Sequence, residues 1–198
     1  MTNTSISRIP LFPTIVYQID LPTDHYTNLV QLCTSLEYRR TEDDSRFMCG
    51  IYNNPDFQPF FKWVNSVIAE LFDEIYCEAY CDPVEVCASW MNKSVRGECT
   101  NDHKHPWSII SGVVYLTGQD GYTTFVDTNP YDSVGAMCVS KRYQITQEVP
   151  LMLGKMLLFP SQMRHYATVN DSDSVRHTLS FNTMPRRLNR DDTVQFNI

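Results

Sequence analysis

A chain of 198 residues with 42% apolar and 20% charged side chains is ordinary material for one packed unit, and 12% aromatics supply bulk for its core. The formal charge of −7 excludes a general affinity for nucleic-acid backbones, which needs concentrated Lys and Arg. No stretch reaches the ~18 uninterrupted apolar residues of a membrane span.

The first ten residues carry no apolar run, so no secretory signal is expected. Seven cysteines, an odd number without scaffold spacing, are expected to be reduced thiols in a cytoplasm. Cys77, Cys81 and Cys87 raise a zinc site, but structural zinc prefers paired Cys-x2-Cys knuckles, and the reading as small apolar residues carries more weight. Arg186, Arg187 and Arg190 read as a solvated tail.

In chain order, Leu11–Leu21 is predicted as an opening strand, rich in β-branched and aromatic residues. Asp24–Leu36 is predicted as a helix, with Leu29, Val30, Leu32, Cys33 and Leu36 at helical spacing. The strongest helix runs over Asp56–Tyr80, with Asp56 as cap. Its apolar stripe is Phe57, Phe60, Phe61, Val64, Val67, Ile68, Leu71, Phe72, Ile75 and Ala79. From Pro83 the pattern turns to β. Strands are expected over Val84–Asn92, Ser108–Thr117, Thr123–Asp127, Tyr143–Val149, Lys155–Phe159, His165–Val169 and Val175–Asn182. The fold class is therefore mainly β with packed helices: a single unit over residues 1–198, in which residues 11–80 brace a β core over residues 83–184.

Two strands have informative faces. Ile109, Ile110, Val113, Val114, Tyr115 and Leu116 are apolar on both sides, as in a strand covered twice. In the last strand Val175, His177, Leu179 and Phe181 alternate with Arg176, Thr178, Ser180 and Asn182. That polar face should look into a wet cavity, because a buried Arg is rare without an anion.

The densest chemistry is Asn101-Asp102-His103-Lys104-His105-Pro106, with His165 far along the chain. In an extended segment residues i and i+2 point the same way, so His103 and His105 can address one ion, and His165 can close the set. Open sites of this kind suit iron(II), although a hydrogen-bonded surface cluster or a cupin-type zinc or nickel site would look similar.

The stretch Ser89-Trp90-Met91-Asn92 … Gly97 … Asn101–Ser108 … Ser111–Leu116, then Gly154–Ser161 … His165 and Arg176–Asn182, resembles a bacterial and phage branch of the 2-oxoglutarate/iron(II)-dependent oxygenases. The opening Leu11-Phe12-Pro13-Thr14 is similar too. The resemblance implies a double-stranded β-helix (a cupin-like jelly roll) and hydroxylation of a substrate C–H bond. O2 and 2-oxoglutarate would be consumed, and succinate and CO2 released. Residue by residue it implies His103 and His165 as iron ligands and Arg176 as partner of the far carboxylate of 2-oxoglutarate. Asn92, Tyr115 and Ser180 would be further cosubstrate donors. It implies no catalytic side chain beyond the metal site. The family pattern is His-x-Asp or His-x-Glu, and here the third position is His105. His105, Asp127 or water can complete the metal, with His105 favoured.

The expected substrate is an amino-acid side chain in a peptide or protein, as in the related prolyl and aspartyl/asparaginyl hydroxylases. A small molecule is the runner-up, and no nucleic acid or membrane partner is expected. Trp107 is expected at the pocket rim, where it could pack on a proline ring, or otherwise in the core. Two other classes compete: a catalytically silent ligand-binding jelly roll, and a cupin-like enzyme without 2-oxoglutarate. Neither would need Arg176 beside the histidines.

Overall fold

The computed structural model describes residues 14–40, 46–75, 82–127, 146–185, 187–188 and 194–195. Strand β1 (Tyr17–Asp20) leads into helix α1 (Thr23–Ser35), and a short hairpin β2 (Arg39–Arg40)/β3 (Arg46–Cys49) follows. Helix α2 spans Gln58–Ile75. The remaining strands are β4 (Val84–Ser94), β5 (Thr100–His103), β6 (Ile110–Thr117), β7 (Tyr122–Val126) and β8 (Thr146–Pro150), then β9 (Lys155–Pro160), β10 (His165–Ala167), β11 (Arg176–Pro185), β12 (Arg187–Leu188) and β13 (Val194–Gln195).

Seven strands form one sheet in the order β1-β9-β6-β11-β4-β3-β2, and four form a second in the order β5-β10-β7-β8. Every pairing within them is antiparallel. The helices lie on the large sheet, α2 against β4 and α1 against β6. The main core fills that layer: Leu29 and Cys33 from α1 and Phe60, Phe61, Val64 and Ile68 from α2 meet Val86, Met91, Val114, Leu116, Leu179 and Phe181. Each fully buried Phe or Leu there contributes roughly 1.5–3 kcal/mol. A smaller cluster of Tyr115, Phe125, Leu157 and Phe159 sits between the two sheets. Helix on sheet on sheet leaves the space between the sheets as the one place where polar side chains of β11 can face inward.

Several boundaries differ from the sequence expectation. Helix α2 is not capped by Asp56. A 3-10 turn over Pro55–Phe57 precedes it, and the Asn54 side chain accepts the Asp56 N–H at 3.0 Å. Of the expected opening strand, residues 11–13 lie outside the described residues, and Tyr17–Asp20 form the strand that pairs with β9. The β2/β3 hairpin, β5 and the β12/β13 pair carried no sequence signal. Phe72, Ile75 and Ala79 of the expected stripe, Cys77 and Cys81, the start of the expected strand at Tyr143, and Arg186 and Arg190 lie outside the residues whose side chains are described. Cys87 donates its thiol to the Asn182 carbonyl at 3.5 Å.

Candidate metal centre and cosubstrate pocket

His103 ends β5, His165 begins β10, and the two are direct register partners. His165 is also paired with Phe125 of β7. The rings of His103 and His165 lie 4.4 Å apart between centroids. Nδ1 of His103 donates to the Asn101 carbonyl at 2.7 Å, and Nδ1 of His165 to the Met163 carbonyl at 2.9 Å. A carbonyl only accepts, so both imidazoles carry a proton on Nδ1 and leave Nε2 as the atom free to meet a ligand. This is the arrangement that orients metal-ligating histidines.

His105 follows two residues beyond β5 in extended chain. Its backbone N–H donates to the Ser161 carbonyl at 2.9 Å. Ser161 is itself fixed by a buried hydroxyl network: Ser111 donates to Ser161 at 2.8 Å, and Ser161 to Ser108 at 2.9 Å. The His105 ring packs at 4.8 Å from His103, 5.1 Å from His165 and 5.3 Å from the Trp90 ring. Among the described residues, ligand atoms of these three histidines, and of no acidic side chain with them, lie within 4.8 Å of one another. Asp127, placed just after β7, is not part of that cluster.

Burial, with the neighbouring imidazoles of His103 and His165, pushes His105 down to about 3. Burial also pulls His165 down to about 4, against the opposing pull of its hydrogen bond to Met163. At neutral pH both are uncharged, the form that binds a metal. Phe159 stands 4.7 Å from the His165 ring and walls it off on the apolar side.

The same cavity is lined by Asn92, Tyr115, Thr123, Arg176, Thr178 and Ser180. Cross-strand register sets Asn92 of β4, Thr178 of β11 and Tyr115 of β6 in one row. Asn92 Nδ2 lies 3.3 Å from Thr178 Oγ1 and 3.5 Å from Ser180 Oγ. The Tyr115 hydroxyl is bonded to Thr123 Oγ1, and burial pushes its pKa up to about 12, so it stays protonated. Arg176 is only 3% exposed, and its Nη2 donates to the Thr168 carbonyl at 2.7 Å. Among the described residues no carboxylate pairs with it. A buried guanidinium balanced only by dipoles is costly, and burial accordingly lowers its pKa. An anionic ligand with two carboxylates fits that charge.

The expected set therefore converges: His103, His105, His165, Arg176, Asn92, Tyr115 and Ser180 all line one cavity. Trp107 does not. It is 89% exposed, in the turn after His105, with φ of 65°, so it belongs neither to the core nor to the lining. Trp90, Thr123 and Thr178 line the cavity without having been singled out as site residues. Thr178 was visible as a member of the polar face of the last strand. Thr123 has no local signal, because only the crossing of the chain from β6 to the facing sheet at β7 brings it to Tyr115.

The two antiparallel sheets define a double-stranded β-helix. The family model described as "Putative 2OG-Fe(II) oxygenase" matches residues 88–182, the segment holding every site residue above. No curated protein matches the chain in sequence. Among solved structures it is similar to the non-haem α-ketoglutarate-dependent epimerase SnoN from nogalamycin biosynthesis, with TM-score 0.68 and 12% identity, covering 88% of this chain and 79% of that one. It is also similar to a Pseudomonas putida prolyl-4-hydroxylase, with TM-score 0.61 and 12% identity, covering 85% and 92%. HygX from Streptomyces hygroscopicus, solved with nickel and 2-oxoglutarate bound, gives TM-score 0.62 at 11% identity, covering 87% and 83%. At such identities the likeness establishes the fold. The family match adds that residues 88–182 have the sequence pattern of a 2-oxoglutarate/iron(II)-dependent oxygenase. The three clustered imidazoles, and a buried Arg176 that no described carboxylate pairs with, suit the iron and the dianion that define the family.

Proposed function

We propose that this oxygenase hydroxylates a C–H bond of an amino-acid side chain in a peptide or protein, consuming O2 and 2-oxoglutarate and releasing succinate and CO2. The observation that carries it is the meeting, in one cavity, of three imidazoles and a buried Arg176 that no carboxylate among the described residues pairs with. A silent jelly roll needs neither, and a cupin-like enzyme without 2-oxoglutarate does not need the Arg.

In this reading His103 and His165 hold iron(II) through Nε2, and His105 is the third ligand. Arg176 binds the far carboxylate of 2-oxoglutarate as a charge-assisted pair. Asn92, Ser180 and the protonated Tyr115 supply hydrogen bonds around it. Iron with its cosubstrate supplies the oxidising power; the protein binds, orients and keeps out water. Phe159 and Phe125 exclude solvent beside His165.

A peptide is favoured over a free metabolite by Trp107, an exposed aromatic one turn from His105, where a proline ring or peptide plane could stack. The similarity to a prolyl-4-hydroxylase over 92% of that chain points the same way. A small molecule is the second reading, favoured by the likeness to SnoN and to HygX, the latter also solved with hygromycin B. Free thiols at Cys33, Cys87 and Cys99 suit a reducing compartment, and we place the reaction in the cytoplasm. No described helix is long and apolar enough to cross a membrane.

The test is succinate release in the presence of iron(II), with peptide pools, free amino acids, small metabolites and single-stranded oligonucleotides offered separately. Stimulation by peptides with a +16 Da shift supports the proposal. Stimulation by metabolites or oligonucleotides alone rejects the peptide class.

A further inference from the structure

The connection between β6 and β7, which passes from one sheet to the other, holds two glycines, Gly118 and Gly121, at φ of +119° and +133°. A Cβ on Gly121 would stand 2.6 Å from Nη1 of Arg176 and 3.4 Å from Oγ1 of Thr168. The guanidinium thus occupies, at Nη1, space that any side chain on Gly121 would take. On the other nitrogen, Arg176 Nη2 donates to the Thr168 carbonyl at 2.7 Å. Thr168 is itself clamped to the start of β7: its N–H donates to the Tyr122 carbonyl at 3.0 Å, and its Oγ1 accepts the Tyr122 N–H at 2.9 Å. The Gly121 carbonyl accepts the Leu151 N–H at 2.8 Å, which ties the connection to the segment after β8.

We infer that Gly121 and Thr168 are positioning residues for the cosubstrate: together they form a socket that fixes the plane of the Arg176 guanidinium and so sets the affinity for the far carboxylate of 2-oxoglutarate. The inference rests on the proposal that Arg176 binds that carboxylate. A guanidinium carries five N–H donors in a rigid fork, so a hydrogen bond at Nη2 and a close contact at Nη1 together set the direction of all of them. A side chain on Gly121 must push Nη1 aside, because the contact is well inside van der Waals distance. Replacing Thr168 by Val keeps the shape but removes the acceptor for the Tyr122 N–H, which frees the carbonyl that steers Nη2.

The test is anaerobic titration of 2-oxoglutarate into the iron(II)-loaded chain, read as a dissociation constant, for Gly121→Ala and Thr168→Val. Each is made in the wild type and in Arg176→Ala, with iron content measured throughout. Gly121→Ala is expected to raise the Kd about tenfold and Thr168→Val about threefold, with iron content unchanged. In the Arg176→Ala background both effects should vanish, since the group they act through is gone. Equal effects in both backgrounds mark a merely structural disturbance and overturn the inference. Wild-type affinity in both variants, with Arg176→Ala weakened, overturns it while leaving the carboxylate anchor standing. Unchanged affinity in Arg176→Ala sinks the anchor and the socket with it. If Gly121→Ala loses cooperative unfolding because of its strained φ, Thr168→Val decides by the same comparison.

Discussion

His103 and His165 face each other as register partners on adjacent antiparallel strands, and each donates Nδ1–H to the carbonyl two residues before it. The orientation of both rings is thus written into the local backbone rather than borrowed from distant side chains. His105 lacks such a bond among the described residues and is held by ring contacts with Trp90 and its two neighbours.

That difference ranks the three ligands. His103→Ala and His165→Ala are each expected to abolish stoichiometric iron(II). His105→Ala should retain part of it, because water can take the place of a less firmly oriented ligand. Metal analysis after anaerobic loading and desalting checks the order. Full iron in His165→Ala contradicts the assignment.

Truncating Arg176 should separate cosubstrate from metal. A buried charge-assisted contact is worth roughly 2–5 kcal/mol on removal. Arg176→Ala is therefore expected to raise the KM for 2-oxoglutarate at least tenfold on the scale of ~1.4 kcal/mol per decade, at unchanged iron content. Uncoupled turnover without substrate provides the measurement, and an unchanged KM places the cosubstrate elsewhere.

His177, on the helix-facing side of β11, predicts a pH dependence of stability. The Thr117 hydroxyl donates its one proton to the Val175 carbonyl at 2.8 Å, so His177 Nδ1–H must be the donor in the 2.8 Å bond to Thr117 Oγ1. Burial, helped by Lys93, pushes His177 from 6.5 down to about 4. Between these values the unfolded chain takes up the proton and the folded one does not. Stability is full above about pH 6.5 and falls as pH drops towards 4. His177→Asn, which can keep the donor to Thr117, should lose less stability than wild type between pH 7.5 and 5, by roughly 1–2 kcal/mol. Urea midpoints at the two pH values measure it; parallel losses in both proteins refute it.

Gly112 on β6 faces Phe181 of β11, and a Cβ there would meet the ring at 2.1 Å. Gly112→Ala is expected to cost about 1–3 kcal/mol by overpacking. Adding Phe181→Leu should return part of that in a denaturation experiment. A neutral Gly112→Ala would mean the ring moves freely, against its complete burial.

How far the sequence can be read depends on how local the signal is. Helix α2 and β11 were legible because their periodicities of 3.6 and 2 are printed in consecutive residues. The alternation in β11 announced that Arg176, Thr178 and Ser180 share one face. Strand β5 was not legible as a strand, since Thr100-Asn101-Asp102-His103 is polar throughout and is held by its pairing with β10. The helix start was misplaced by two residues because a 3-10 turn over Pro55–Phe57, capped by Asn54, intervenes before α2 begins at Gln58. Spacing left His105, Asp127 and water all open; the fold brings the His105 ring, and not Asp127, to the other two rings. The contact of Gly121 with Arg176 joins residues far apart in the chain and leaves no mark in the local pattern.

The central claim is that one cavity binds iron(II) through the histidines and 2-oxoglutarate through the metal and Arg176 together. Anaerobic addition of iron(II) and then 2-oxoglutarate, followed by visible absorption, tests it directly. A weak metal-to-ligand charge-transfer band should appear only when both are present, saturate at one equivalent of each, and be absent in His103→Ala. No band in the wild type, or an undiminished band in His103→Ala, would contradict the claim.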